Sequence, residues 1–87
     1  HIAHNVQTGS NAAIAGQSGI AGSAIIGNYV KIGGQVGISG HIEIGDFVEI
    51  AAKSGVRKNI KSKQKIMGDP AINMFTYLRK YKKNFLN

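Results

Sequence analysis

Isoleucine and valine recur every six residues from residue 2 to residue 61. The first positions of ten consecutive six-residue units read Ile2, Thr8, Ile14, Ile20, Ile26, Ile32, Ile38, Ile44, Ile50 and Val56. Nine of these ten are Ile or Val, which together supply only about a fifth of the chain. The following position is small in all units but the last, running Ala3, Gly9, Ala15, Ala21, Gly27, Gly33, Ser39, Gly45, Ala51 and then Arg57. The fifth position is small or β-branched, from Val6 and Ala12 through Val48, Ser54 and Ile60. A fixed period held this long marks a stacked repeat.

The value of the period selects the architecture. A helix would smear a six-residue repeat around its whole surface, because its own period is 3.6. Six is three strand periods, so short strands keep every isoleucine on one side. A β-branched residue followed by a small one suits a short strand and then a corner. Three units close a triangular coil of eighteen residues, and coils stack at the strand spacing of ~4.8 Å. The pattern predicts an all-β parallel β-helix over residues 1–61, with its isoleucines piled inward as a ladder.

After Lys61 the pattern breaks at Ser62, Lys63, Gln64 and Lys65, and residues 62–70 read as a closing turn that includes the strand-like Ile66-Met67-Gly68. Asp69-Pro70 has the form of a helix start, with a capping carboxylate and proline at the first helical position. Over 71–87 the apolar Ile72, Met74, Phe75, Leu78, Tyr81 and Phe85 fall mainly on one face, with Arg79, Lys80, Lys82 and Lys83 on the rest. This predicts a basic amphipathic C-terminal α-helix.

Charge divides the chain. Residues 1–50 carry Lys31 against Glu43, Asp46 and Glu49, a net −2, whereas residues 51–87 carry ten Lys and Arg against Asp69, a net +9. A basic end on a near-neutral prism predicts an acidic partner there. The absence of cysteine fits a reducing compartment. No apolar run reaches the roughly eighteen residues of a membrane span. Three and a third coils leave the ladder open at both ends, so the chain reads as the C-terminal piece of a longer protein, held together in part by oligomerisation.

Eighteen-residue arithmetic draws columns along the prism. His4, Gly22, Gly40 and Lys58 share one column on one edge, and His41 adjoins Gly40. The two histidines then lie two coils apart, roughly 10 Å along the axis, with bare glycine backbone between them. A base, a backbone N–H and a groove make a workable acyl-transfer site. The same residues also fit solvent-facing corners, where glycine serves only a φ > 0 requirement. Spacing leaves both readings open.

Several segments carry a family resemblance. Ile2-Ala3-His4-Asn5-Val6, Ile20-Ala21-Gly22-Ser23, Ile32-Gly33-Gly34-Gln35-Val36-Gly37-Ile38, Gly40-His41-Ile42-Glu43-Ile44-Gly45 and the ending Gly68-Asp69-Pro70-Ala71 resemble the UDP-3-O-(3-hydroxyacyl)glucosamine N-acyltransferases of lipid A synthesis. The resemblance runs through nearly the whole chain. It implies a left-handed β-helix, a homotrimer with sites between subunits, and a bacterial cytoplasmic enzyme with at most peripheral membrane contact. It also implies transfer of a 3-hydroxyacyl chain from acyl carrier protein to the 2-amino group of a UDP-sugar acceptor, without metal or other cofactor. On that resemblance His4 is the general base, His41 orients the donor or stabilises charge, and the Gly22 N–H is the oxyanion donor. An acidic carrier, or its phosphopantetheine, would meet Arg57, Lys58, Lys61, Lys63 and Lys65, with Lys58 foremost. Gly55 would leave room for a long acyl chain. The uridine-binding N-terminal domain of that family has no counterpart in these residues, and Thr8 stands where an aliphatic is usual.

Other readings weigh differently. A sister family that O-acylates UDP-N-acetylglucosamine shares a His-Ile-Ala-His segment like His1 to His4, but typically continues with Asp where this chain has Asn5. Three histidines would suit zinc, yet His41 lacks the paired histidine five positions away that the γ-carbonic anhydrases use. The 87 residues alone could also form a non-catalytic trimeric module that docks an acidic partner. Nucleic acid is disfavoured, because Phe75, Tyr77 and Tyr81 sit at helical core spacing.

Overall fold

Each repeat unit makes one two-residue strand and one corner, and the strand alternates as a pleat must. Gly19 is exposed and Ile20 buried; Lys31 is exposed and Ile32 buried. The computed structural model, which describes residues 2–68, 71–76 and 78–79, is a left-handed parallel β-helix. One coil contributes β1 (Gln7–Thr8), β2 (Ala13–Ile14) and β3 (Gly19–Ile20). The next contributes β4 (Ile25–Ile26), β5 (Lys31–Ile32) and β6 (Gly37–Ile38), and the third β7 (Glu43–Ile44), β8 (Glu49–Ile50) and β9 (Gly55–Val56). Three faces result, ordered β1-β4-β7, β2-β5-β8 and β3-β6-β9. All pairings among these nine strands are parallel and eighteen residues apart, as in Gly19 to Gly37 to Gly55.

Two inward positions per unit build the core. The ladder position supplies Ile20, Ile26, Ile32, Ile38, Ile44, Ile50 and Val56, while the fifth position supplies Ala24, Val30, Val36, Ile42 and Val48. Ser18 and Ser54 are buried in the same column as Val36, and each hydroxyl finds a backbone carbonyl, Gly33 and Ala51 respectively. Their polarity is therefore satisfied. Toward the N-terminal end the ladder is open to solvent, with Ile2 52% exposed and Thr8 also exposed.

The corners turn on a left-handed residue. Asn5, Asn11, Gln17, Ser23, Tyr29, Gln35, His41, Phe47, Lys53 and Lys63 all have φ between 56° and 65°. Among the described residues Gly68 is the one glycine with positive φ. Gly22 and Gly40 are thus not at their corners to supply that conformation; Ser23 and His41 supply it.

The sequence pattern misplaces one unit. Ile60 bridges Ile44 and not a fifth-position partner, so the coil shortens by two residues between Val56 and Ile60. Beyond that slip the six-residue rhythm continues: Ser62-Lys63 is an ordinary corner, and β10 (Lys65–Met67) pairs in parallel with β8. The repeat does not end at Lys61. It is resumed out of register.

The C-terminal segment differs too. Ile72–Asn73 forms β11, antiparallel to β10, where the pattern predicts helix from residue 71. Helical residues follow at 74–76 and 78–79. The Asn73 side chain accepts a hydrogen bond from the Phe75 N–H at 2.9 Å, the action of an N-cap. The Asp69-Pro70 start, like Tyr77 and all of the predicted helix beyond residue 79, lies outside the described residues.

Candidate active site

The corner joining the β3-β6-β9 face to the β1-β4-β7 face gathers the predicted chemistry. His4, Gly22 and Gly40 stack there on successive coils. The Ser23 N–H donates to the His4 carbonyl at 3.2 Å, and the His41 N–H to the Gly22 carbonyl at 3.1 Å. Both imidazoles are exposed, while Gly22 and Gly40 are half-buried. Arg57 and Lys58 begin the shortened corner directly above Gly40. Lys61 and Lys63 do not join them; they follow Ile60 to the neighbouring corner, above Gly45 and Phe47.

That neighbouring corner shows what is distinctive about the glycines. Its third-position residues carry polar side chains, and each caps the N–H one coil below. Asn28 Oδ1 accepts from the Ser10 N–H at 2.8 Å, Asp46 Oδ1 from Asn28 at 2.7 Å, and Ser62 Oγ from Asp46 at 2.9 Å. At the histidine corner Gly22 and Gly40 have no side chain to do this. The Gly22 N–H consequently has no hydrogen-bond partner among the described residues. A half-buried N–H without a partner among the described residues, on a corner that also carries two histidines, is chemically suited to receive a developing oxyanion. Gly16 and Gly34 leave N–H groups uncapped at the third corner as well, but no histidine stands there.

A shallow groove of about 480 Å³ runs along the β3-β6-β9 face beside this corner. The outward column Gly19, Gly37 and Gly55 floors it, Ala21 and Ser39 border the corner, and Arg57 stands at its end. A larger groove of about 590 Å³ crosses the β2-β5-β8-β10 face under Met74, away from both histidines. Chemistry favours the smaller one. The third exposed feature is a stacked pair that the sequence pattern does not announce: Tyr29 and Phe47, coplanar within 5° with centroids 5.1 Å apart.

Among the described residues no three His, Asp or Glu side chains gather as a metal site, and no helix is long and apolar enough to cross a membrane.

No protein-family model matches the sequence, and no curated protein sequence does. Solved structures do match. The acetyltransferase domain of PglB from Neisseria gonorrhoeae FA1090, in complex with acetyl coenzyme A, aligns with a TM-score of 0.71 at 21% identity over 72% of this chain and 31% of its own. A second structure of that domain aligns at 0.66 and 14% identity, over 85% of this chain and 58% of its own. A maltose O-acetyltransferase from Clostridium difficile 630 aligns at 0.60 and 23% identity, over 85% of this chain and 62% of its own. The chain therefore shares its fold with solved acetyltransferases and spans less than two thirds of each.

Proposed function

We propose that this chain is the catalytic β-helix of an acyltransferase that moves a 3-hydroxyacyl group from a phosphopantetheine thioester to the 2-amino group of a UDP-sugar. The observation that carries the reading is the histidine corner, where His4 and His41 flank glycine backbone whose Gly22 N–H has no partner among the described residues. The fold it shares with solved acetyltransferases, one of them bound to acetyl coenzyme A, supports acyl transfer as the reaction class. The specific acceptor rests on the resemblance of the His4, Gly22 and His41 segments to the N-acyltransferases of lipid A synthesis.

In this mechanism neutral His4 takes a proton from the acceptor amine as nitrogen attacks the thioester carbonyl. Imidazole suits that task because it ordinarily titrates near neutrality. Negative charge collects on the carbonyl oxygen, which the Gly22 N–H receives; one such donor is worth roughly 3–4 kcal/mol. The C–S bond then breaks, and the proton held by His4 passes to the departing thiolate. His41 orients the donor. The acyl chain lies in the glycine-floored groove toward Gly55. Acyl carrier protein docks on the basic end through Lys58 and Arg57, and the working unit is a cytoplasmic bacterial homotrimer with sites between subunits.

The test offers 3-hydroxyacyl carrier protein to the full-length protein with either UDP-3-O-acylglucosamine or UDP-N-acetylglucosamine, for native protein and His4→Ala. Amide formation on the first acceptor, lost in the variant, is the expected result. Ester formation on the second would move the protein to the O-acylating family. Transfer that survives His4→Ala would remove the mechanism.

A further inference from the structure

The C-terminal end of the prism is built differently from its sides. The sheet order β11-β10-β8-β5-β2 puts β11 on the outermost rung, beyond the last coil. The helical residues 74–76 and 78–79 start from that rung. Met74 turns back to line the groove of the β2-β5-β8-β10 face, with Ala51, Ala52 and Lys65. Phe75 and Leu78 are left outward, 67% and 41% exposed. Three residues apart on a helix, they share a side. Large apolar side chains that face water together, with charge around them, mark a surface that meets something.

Cations flank this segment. The face from which it leaves lies between two corners, and each ends in an exposed lysine, Lys53 above Gln35 and Lys63 above Phe47. Arg79, exposed on the helix, is a third cation. From residue 50 to residue 87 Asp69 is the sole acid against ten Lys and Arg, and Lys80, Lys82 and Lys83 follow Arg79 in the sequence. The acids bordering this face are engaged elsewhere: Asp46 Oδ1 accepts from the Asn28 N–H at 2.7 Å, and Glu49 pairs with Lys65 at 3.7 Å. The histidine corner, with Arg57 and Lys58, is the one corner that this face does not adjoin. The apolar and basic end is thus separate from the candidate active site.

We infer that this end of the prism docks on an anionic lipid bilayer. A partner with one acidic patch would meet cations gathered on one spot. Here they stand on two corners and a helix around an apolar pair, an arrangement that a plane of phosphates satisfies all at once. Phe75 and Leu78 enter the boundary between headgroups and acyl chains, ~5–10 Å deep. Lys53, Lys63 and Arg79 stay at the level of the phosphates. The docking goes beyond the acyl-transfer reading and does not draw on it.

Co-sedimentation of the full-length protein with vesicles tests it. Vesicles of equal parts phosphatidylglycerol and phosphatidylethanolamine are compared with vesicles of phosphatidylcholine. The native protein is expected to bind the first and not the second. Phe75→Ser with Leu78→Ser should lower the partition coefficient at least roughly tenfold. Lys53→Asn with Lys63→Asn should lower it by about twentyfold, near fivefold for each lysine. Asparagine is the replacement because both lysines hold left-handed backbone, with φ of 64° and 65°, which asparagine tolerates. Absence of binding, or equal binding to the two kinds of vesicle, would overturn the inference. Anionic binding untouched by the serine pair would do the same, and dispersal of an oligomer by that pair in sedimentation velocity would then assign Phe75 and Leu78 to a contact between copies. Loss of acyl carrier protein binding in the asparagine pair, with no vesicle binding by the native chain, would give the lysines to the carrier and equally overturn it. Neither assay reads turnover, so a negative result leaves the acyl-transfer reading in place. An inactive protein that binds anionic vesicles through these residues would leave the docking surface and remove the reaction.

Discussion

Glycine answers to different neighbours at different positions of the repeat. A Cβ on Gly27 would meet the Gly45 carbonyl carbon at 2.7 Å and Asp46 Oδ1 at 2.5 Å, contacts that real side chains do not make. On Gly37, in the open groove, a Cβ would meet nothing within 4 Å. Gly27→Ala is therefore expected to destabilise the coil stack by about 1–3 kcal/mol, and Gly37→Ala to fall within about 0.5 kcal/mol of native. Urea midpoints of the two variants test the contrast; similar values would sink it. The sequence sets them apart only by register, Gly27 just after a ladder isoleucine and Gly37 just before one; what each would meet is decided by what the adjacent coil places opposite.

Gly40 admits a sharper test of the same kind. An asparagine there would reproduce the capping seen at Asn28 and Asp46 and occupy the Gly22 N–H. Its Cβ would also press on the Gly22 carbonyl at 2.9 Å, a cost that Gly40→Ala shares without the cap. Under the proposed mechanism, kcat at saturating donor should fall for Gly40→Asn by about 100- to 1,000-fold beyond Gly40→Ala. Equal losses would mean that the Gly22 N–H does not hold the oxyanion.

At the level of elements, the corner is the unit that varies. Ten corners share one backbone conformation, in which a non-glycine residue takes φ near +60°. Asparagine and histidine adopt it with least strain, whereas Tyr29 and Phe47 are bulky for it and regain part of the cost by stacking. The shortened corner has no such residue and depends instead on Asn59. Replacing Asn59 by Ala removes the cap on the Glu43 N–H and should cost about 1 kcal/mol. Asp, which keeps the acceptor, should retain most of it. A thermal unfolding series of the two checks this, and equal losses would assign the effect to packing.

This corner was also the least legible part of the chain. Ile60 suits the fifth position and the ladder position equally, since both point inward and both accept a β-branched residue. Hydrophobic pattern alone therefore continues the count unbroken through Lys61. The same slip explains why Lys61 and Lys63, adjacent in sequence to Arg57 and Lys58, end on another corner. The histidine column was easier to find. Three uninterrupted units separate His4 from Gly22 and Gly22 from Gly40, so arithmetic sufficed.

Over the whole molecule, the slip distributes charge. Each corner ends with a cation toward the C-terminal end of the prism: Lys53 on one, Lys58 on the histidine corner and Lys63 above Phe47, all exposed. The surface ion pair of Lys65 with Glu49, at 3.7 Å, lies on a flat face away from these three lysines. If an acidic carrier docks there, its attraction is long-range and screened by salt, whose Debye length falls from ~10 Å at 0.1 M to ~3 Å at 1 M. The KM for carrier-borne donor should then rise at least about tenfold over that range. That of the small phosphopantetheine donor should change far less. Parallel salt titrations decide it, and equal slopes would remove the docking rim.

The sequence by itself determined the repeat, its strand character, the inward ladder and the alignment of His4, Gly22 and Gly40, because a six-residue period has only one way to keep β-branched residues together. It also determined the uneven charge. Tertiary structure alone decided where the period slips, which cations share the histidine corner, and which backbone groups lack partners. Those depend on what the coil above contributes. A residue's neighbour in a β-helix lies some eighteen positions away, and a change of two in that distance reassigns every contact on the edge.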